Sequence, residues 1–313
     1  MRLLISGIVL TIAATAAFVF LQRPPADPPL GPERTTKAMV WKASRGPDKT
    51  TVWLCGSIHI LRESDYPLPA PWRKAWDQSR RVVMELKPGT TEDPETQKLS
   101  LALSSLPTGQ SLLPSLSPDT SRDFLAWCTD SNISPDSFQH MKPWMASLRV
   151  GMTSLDRLGF NVARGIERHL GARLGERSTE GLESVSQSLG ILDSLSAQDQ
   201  DLMLRHALAD AKSAPTRITL LANAWHEGDT ATLDRLLRDG FKDFPSLRQR
   251  LIDDRNKAWF PRILQLLDGH EESIVIVGAG HLSGPDSLIA MLEAQGVSVS
   301  QQEYTTRRLA PPP

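Results

Sequence analysis

The chain of 313 residues is 40% apolar and 23% charged, the composition of an ordered globular protein rather than a disordered one. Lys and Arg total 35 against 36 Asp and Glu, and a net charge of -1 gives no broad attraction to a phosphate backbone, so nucleic acid is not an expected partner. Two cysteines, Cys55 and Cys128, cannot build a disulfide-dense scaffold or a four-thiolate zinc site.

Residues Leu3 to Leu21 carry no charge and are about long enough to cross a ~30 Å hydrocarbon core. This apolar helix is expected to enter a membrane, with residues 1–23 acting as a retained signal anchor or as a signal peptide cut at Ala14-Thr15-Ala16. Arg2 and the terminal amine favour an N-in start, which puts the rest of the chain on the extracytoplasmic, periplasmic side. A proline-rich spacer over 24–35 follows, and the folded domain is expected over 36–305, with a Pro-rich tail at 306–313.

Within the domain, the runs Ala38 to Ala43 and Thr51 to Cys55 flank Arg45-Gly46-Pro47-Asp48-Lys49 and predict a hairpin. Pro71 to Ser79 reads as a helix, and Arg81 to Leu86 as a buried strand. From about 95 to 267 helical spacing dominates, with a short exception around Arg177-Ser178. Ser196 to Ala211 is one helix there, and Phe244 to Leu267 another that Pro261 should kink or divide. Ser273 to Val277 is an almost wholly apolar strand, followed by a helix over Pro285 to Gln295 and a last strand over Val297 to Ser300. The fold class is therefore α/β (α+β): one central mixed sheet built from both chain ends, interrupted by a large helical insertion and preceded by the apolar helix.

Two strands end alike, in Gly56-Ser57-Ile58-His59 and Gly278-Ala279-Gly280-His281. Ligand and catalytic groups of α/β sheets gather beyond the carboxyl ends of strands, so His59 and His281 could face one pocket; the plain alternative is turn glycines beside hydrogen-bonded surface histidines. Glu85 sits among Val82, Val83, Met84 and Leu86, and a carboxylate there needs a metal, a raised pKa or a hydrogen-bonding partner such as an arginine. Glu63 and Asp65 read as solvated loop acids, and His140, His169, His206, His226 and His270 as ordinary residues. Cys55 reads as a packed thiol, with a bond to Cys128 left open. Gly278-Ala279-Gly280 lacks the third glycine of a dinucleotide fingerprint, and neither G-x-S-x-G nor H-E-x-x-H occurs.

Trp53 to Leu61 with Asp65-Tyr66-Pro67-Leu68-Pro69, Val83-Met84-Glu85-Leu86, Lys142-Pro143-Trp144, Gly165-Ile166-Glu167, Gly181-Leu182-Glu183-Ser184, Asp254-Arg255-Asn256 and Gly278 to Leu282 together resemble the TraB/GumN family, in order over about Trp41 to Gly296. Two departures are Ser57 where threonine is commoner and Lys87 where an aspartate is frequent. The resemblance implies kinship with Tiki-type membrane metalloproteases, whose two Gly-x-x-His motifs and a glutamate match His59, His281 and Glu85. It also implies a wider group of erythromycin-esterase-like hydrolases and haem-binding lipoproteins. The expected activity is divalent-metal-dependent hydrolysis, of a peptide first, at the extracytoplasmic membrane face. His59, Glu85 and His281 would hold the ion, with Glu183 as a fourth ligand in reserve, and Arg255 or a motif backbone N–H would steady the oxyanion. The alternatives are a metal-independent hydrolase with His59 as base oriented by Glu85, or a non-enzymatic surface protein binding a peptide or cofactor.

Overall fold

The computed structural model describes residues 33–306, without Asp48 and without the side chains of residues 212–216. The expected membrane segment 1–23, most of the spacer and the tail after 306 lie outside the described residues. No helix among the described residues is long and apolar enough to cross a membrane.

One sheet organises the domain. Its strands are β1 (Arg34–Ser44), β2 (Val52–Ser57), β3 (Arg81–Leu86), β4 (Ser178–Glu183), β5 (Ser273–Gly278) and β6 (Ser298–Thr306), in the order β4-β3-β5-β2-β1-β6. The hairpin forms as the sequence predicts, with Val40 opposite Cys55 and Ala43 opposite Val52. β2, β5, β3 and β4 run parallel, so their carboxyl ends share one edge of the sheet. β2 is buried along its whole length and β5 along all but its last residue, as their continuous apolar character requires of strands covered on both faces. Strands from both chain ends thus share one mixed sheet.

The helices are α1 (Ala70–Gln78), α2 (Pro94–Ser104), α3 (Leu112–Ser115), α4 (Pro118–Ser131), α5 (Pro143–Asp156), α6 (Ile166–Gly171), α7 (Val185–Asp193), α8 (Ala197–His226), α9 (Thr230–Gly240), α10 (Pro245–Arg248), α11 (Asp254–Leu267) and α12 (Leu288–Ala294). The insertion has cores of its own. Phe124, Trp127, Phe138 and Leu204 form one, and Trp144, Leu192, Phe244 and Leu247 another, both separate from the cluster that covers the sheet.

Two details differ from expectation, and the cysteine pairing that the sequence leaves open is answered. The exception near Arg177 is a full strand, β4, which closes the sheet beside β3. Its sequence, Ser-Thr-Glu-Gly-Leu-Glu, is polar because an edge strand need not be apolar on both faces. Pro261 lies inside α11 without dividing it, since Pro261 and Lys257 are exposed and the carbonyl that loses its donor can be hydrated. The departure from α-helix in that stretch comes earlier, as a π-helical turn over Gln249–Asp253 that ends two residues before Arg255. Cys55 and Cys128 are free, buried and in different cores, so no disulfide joins them.

Candidate functional site

The shared carboxyl edge brings the four parallel strands' terminal residues together. Ser57 and the run to His59 leave β2, Glu85 lies near the end of β3, Glu183 ends β4, and Gly278 ends β5. In the register, Ser57 stands opposite Gly278, so the two Gly-x-x-His runs leave the sheet side by side.

The first run is held at every residue. The Trp225 indole Nε1–H donates to the Gly56 carbonyl at 2.6 Å. The Ile166 N–H donates to the Ile58 carbonyl at 3.2 Å. Glu167 accepts from the Ser57 hydroxyl and from His59 Nδ1, the latter at 3.0 Å. Gly165 permits this approach, since a Cβ there would fall 2.2 Å from the His59 carbonyl oxygen. Among the described residues, Nε2 of His59 has no protein partner, and the side chain is 65% exposed. The negative charge of Glu167 raises the His59 pKa from 6.5 to about 9, although water around the open ring screens part of that attraction.

The second run is built the other way. His281 is 3% exposed, and its Nδ1 lies 2.8 Å from Asn256 Oδ1. The Asn256 amide nitrogen donates to the Asp286 carbonyl, so its oxygen is the acceptor and Nδ1 of His281 carries the proton. The bare Nε2 then accepts from Arg255 Nη1 at 3.2 Å. Burial, with the facing Arg255 cation, lowers the His281 pKa to about 4, so the ring is neutral at physiological pH. Trp259 packs its ring 4.6 Å from that of His281, and the Arg255 guanidinium lies 4.5 Å over the same indole.

Arg255 is the centre of this half. Its Nε and Nη2 donate to both Glu183 oxygens at 2.9 and 2.8 Å, Nη2 also donates to Glu85 Oε2 at 2.5 Å, and Nη1 donates to the Leu251 carbonyl as well as to His281. Glu85 Oε1 accepts from the Gly278 N–H at 2.6 Å. A Cβ on Gly278 would stand 3.3 Å from that oxygen, a tighter approach than most side chains make. Burial pushes the Glu85 pKa up, but any charge on His281, the Arg255 cation and the Gly278 N–H outweigh it and hold it at about 2.

These contacts revise the expected roles. Every guanidinium N–H of Arg255 is already engaged, so Arg255 has no donor for an oxyanion and acts as a positioning residue. The orienting partner of His59 is Glu167, not Glu85. Glu85, Glu183 and His281 aim their donor atoms at a guanidinium, and among the described residues no three His, Cys, Asp or Glu side chains are grouped to hold an ion. The expected ligands do not fit a divalent metal in this arrangement. Glu167, Asn256 and Trp259 belong to the site without having been assigned to it. Glu167 and Asn256 stand in the runs Gly165-Ile166-Glu167 and Asp254-Arg255-Asn256, but nothing in their spacing names a partner. Asp65 is buried rather than solvated, bonded to Arg62 and to His226. Glu63 is exposed as expected.

Two pockets flank the sheet. The larger, about 440 Å³, lies where β1 and β6 meet the α8–α9 turn, and its polar lining includes Lys37, Asp229 and Glu303 but none of the groups above. The smaller, about 250 Å³, is lined by Glu183, Arg255 and Trp259 and so adjoins the site.

The sequence model of the TraB/PrgY/gumN family matches residues 39–301. An uncharacterized protein of Treponema pallidum (strain Nichols) is 23% identical over 268 residues, covering 81% of this chain and 80% of the relative. No solved structure matches the chain.

Proposed function

We propose, from the premise that the chain belongs to the TraB/PrgY/gumN family, that its carboxyl-edge site is hydrolytic and that His59 moves the proton. The observation that carries this reading is the contrast within the site: an open imidazole backed by a carboxylate, set beside a buried network whose polar groups satisfy one another. Glu167 accepts the Nδ1–H of His59, and in the neutral ring, the form that grows as pH rises toward about 9, Nε2 is the base. Nε2 takes a proton from water as the water oxygen bonds to a carbonyl carbon. The same proton then passes to the leaving nitrogen or oxygen as the old bond breaks. Glu85 and Glu183 fix Arg255, and Arg255 with Asn256 fixes the neutral His281 beside the reacting centre. The substrate class is a peptide or related small acyl compound, met at the extracytoplasmic membrane face to which the uncharged Leu3 to Leu21 segment would deliver the domain.

A second reading is metal-assisted hydrolysis, favoured by the excess of the three carboxylates Glu85, Glu167 and Glu183 over the two cations Arg255 and protonated His59. It requires Arg255 to leave the centre it occupies. One experiment separates the two: the purified full chain is assayed on a quenched-fluorescence peptide library with and without a chelator, beside His59→Ala. The proposal expects turnover that survives chelation and falls about 10²- to 10⁴-fold in the variant. Turnover abolished by the chelator and restored by a divalent ion selects the second reading, and full activity in His59→Ala refutes the first.

A further inference from the structure

The pocket between α7 and α11 is left unused by the chemistry of His59. The geometry points to it as the subsite for one apolar side chain of a peptide substrate, a reading that rests on the hydrolytic proposal above. Its apolar walls are Leu182, Ile191, Ala258 and Trp259, and the Arg255–Glu183 pair and Arg250 are among its polar lining.

Size sets the first limit. At about 250 Å³ the pocket is smaller than the ~300–1,000 Å³ typical of sites for whole small-molecule ligands, so it accommodates a single side chain. Chemistry sets the second. Both Glu183 oxygens accept from Arg255, and the Arg255 N–H groups are all engaged, so an apolar group packed against this pair strands none of its polar atoms. Position sets the third, because two of the lining residues also touch His281. Arg255 Nη1 lies 3.2 Å from its Nε2, and the Trp259 ring packs 4.6 Å from its ring. A side chain lodged there packs against residues that touch His281, which leaves the same carboxyl edge of the sheet as His59. Asp254, exposed, lines the same pocket and can accept from an amide of an extended peptide.

The test reads binding and turnover separately. In the full chain with ¹³C-labelled isoleucine methyl groups, the Ile191 signal, assigned with Ile191→Val, is followed while N-acetyl-leucinamide or N-acetyl-glycinamide is added. The expected result is a saturable shift of Ile191 with the leucine compound alone, no shift of the core residue Ile263, and loss of the response in Ala258→Trp. Ala258 is exposed on α11, and Gln187→Trp, from the α7 side, repeats the blockade should the first variant misfold. With peptide p-nitroanilides, the same variants should raise KM at least about tenfold for leucine and phenylalanine substrates and leave the glycine substrate unchanged. A leucine-dependent shift without turnover of any substrate keeps the pocket and overturns the hydrolytic reading. Turnover with no such shift, or with equal loss for all three substrates, overturns the pocket assignment.

Discussion

His59 and His281 leave neighbouring parallel strands through the same Gly-x-x-His run, yet one ring is 65% exposed and the other 3%. Glu167 raises the first pKa, while burial and Arg255 lower the second. The run fixes where each ring emerges from the sheet, and the groups packed against it decide the charge it carries. Two like residues pushed apart in pKa within one site suit the division of labour proposed above, in which His59 exchanges protons and His281 stays neutral as part of the scaffold.

The most severe way to break this contrast is Arg255→Leu. It leaves Glu85 and Glu183 facing each other without their cation, and removing one partner from a buried charge cluster costs about 3–5 kcal/mol. Urea unfolding should show a loss of that size. It should also raise the His281 pKa, because the guanidinium that disfavours its protonation is gone. A loss below about 1 kcal/mol would mean that the pairs are solvated.

The pH dependence of stability sharpens the comparison without any mutation. A folded pKa of about 4 against 6.5 unfolded means that the unfolded chain binds the His281 proton first, so stability falls as pH drops below 6.5. The full effect is roughly 3 kcal/mol, and the part between pH 6.5 and 4.5 precedes protonation of Glu85, whose carboxylate titrates from 4.5 in the unfolded chain down to about 2 when folded. His59 acts with the opposite sign. Its pair with Glu167 stabilises the fold fully below pH 6.5 and is lost as pH rises toward about 9, by an amount that solvent screening keeps small. Unfolding measured across pH should therefore show a maximum near 6.5, with the part of the acid limb between pH 6.5 and 4.5 absent in His281→Gln.

The smallest change is Glu167→Gln. It removes the charge that holds the His59 pKa up, so the rising limb of a pH–rate profile should move toward acid. The plateau rate should drop about 10- to 100-fold as the ring loses its orientation. A limb that stays in place would show that Glu167 does not govern His59.

Much of the architecture is legible in the sequence, and the reason differs by element. β2, β3 and β5 announce themselves because a strand covered on both faces must be nearly all apolar, and the two Gly-x-x-His endings are visible because each follows such a strand. β4 is obscure because an edge strand tolerates Ser178, Thr179 and Glu180, and the π turn before Arg255 has no local signature. Glu85 is correctly marked as a carboxylate in need of a partner, yet only the fold reveals that Arg255 is the partner it meets. The Glu167 pairing with His59 spans more than a hundred residues and depends on Gly165 resting against the His59 carbonyl, a contact that residue types alone do not specify.

An imidazole NMR titration of the histidine-labelled full chain tests the division of labour most directly. The account predicts that His59 remains protonated past neutral pH, titrating above 6.5 and toward about 9, while His281 stays neutral with its proton on Nδ1 until the pH nears about 4. Two histidines titrating together near pH 6.5, or His281 holding its proton at higher pH than His59, would contradict it.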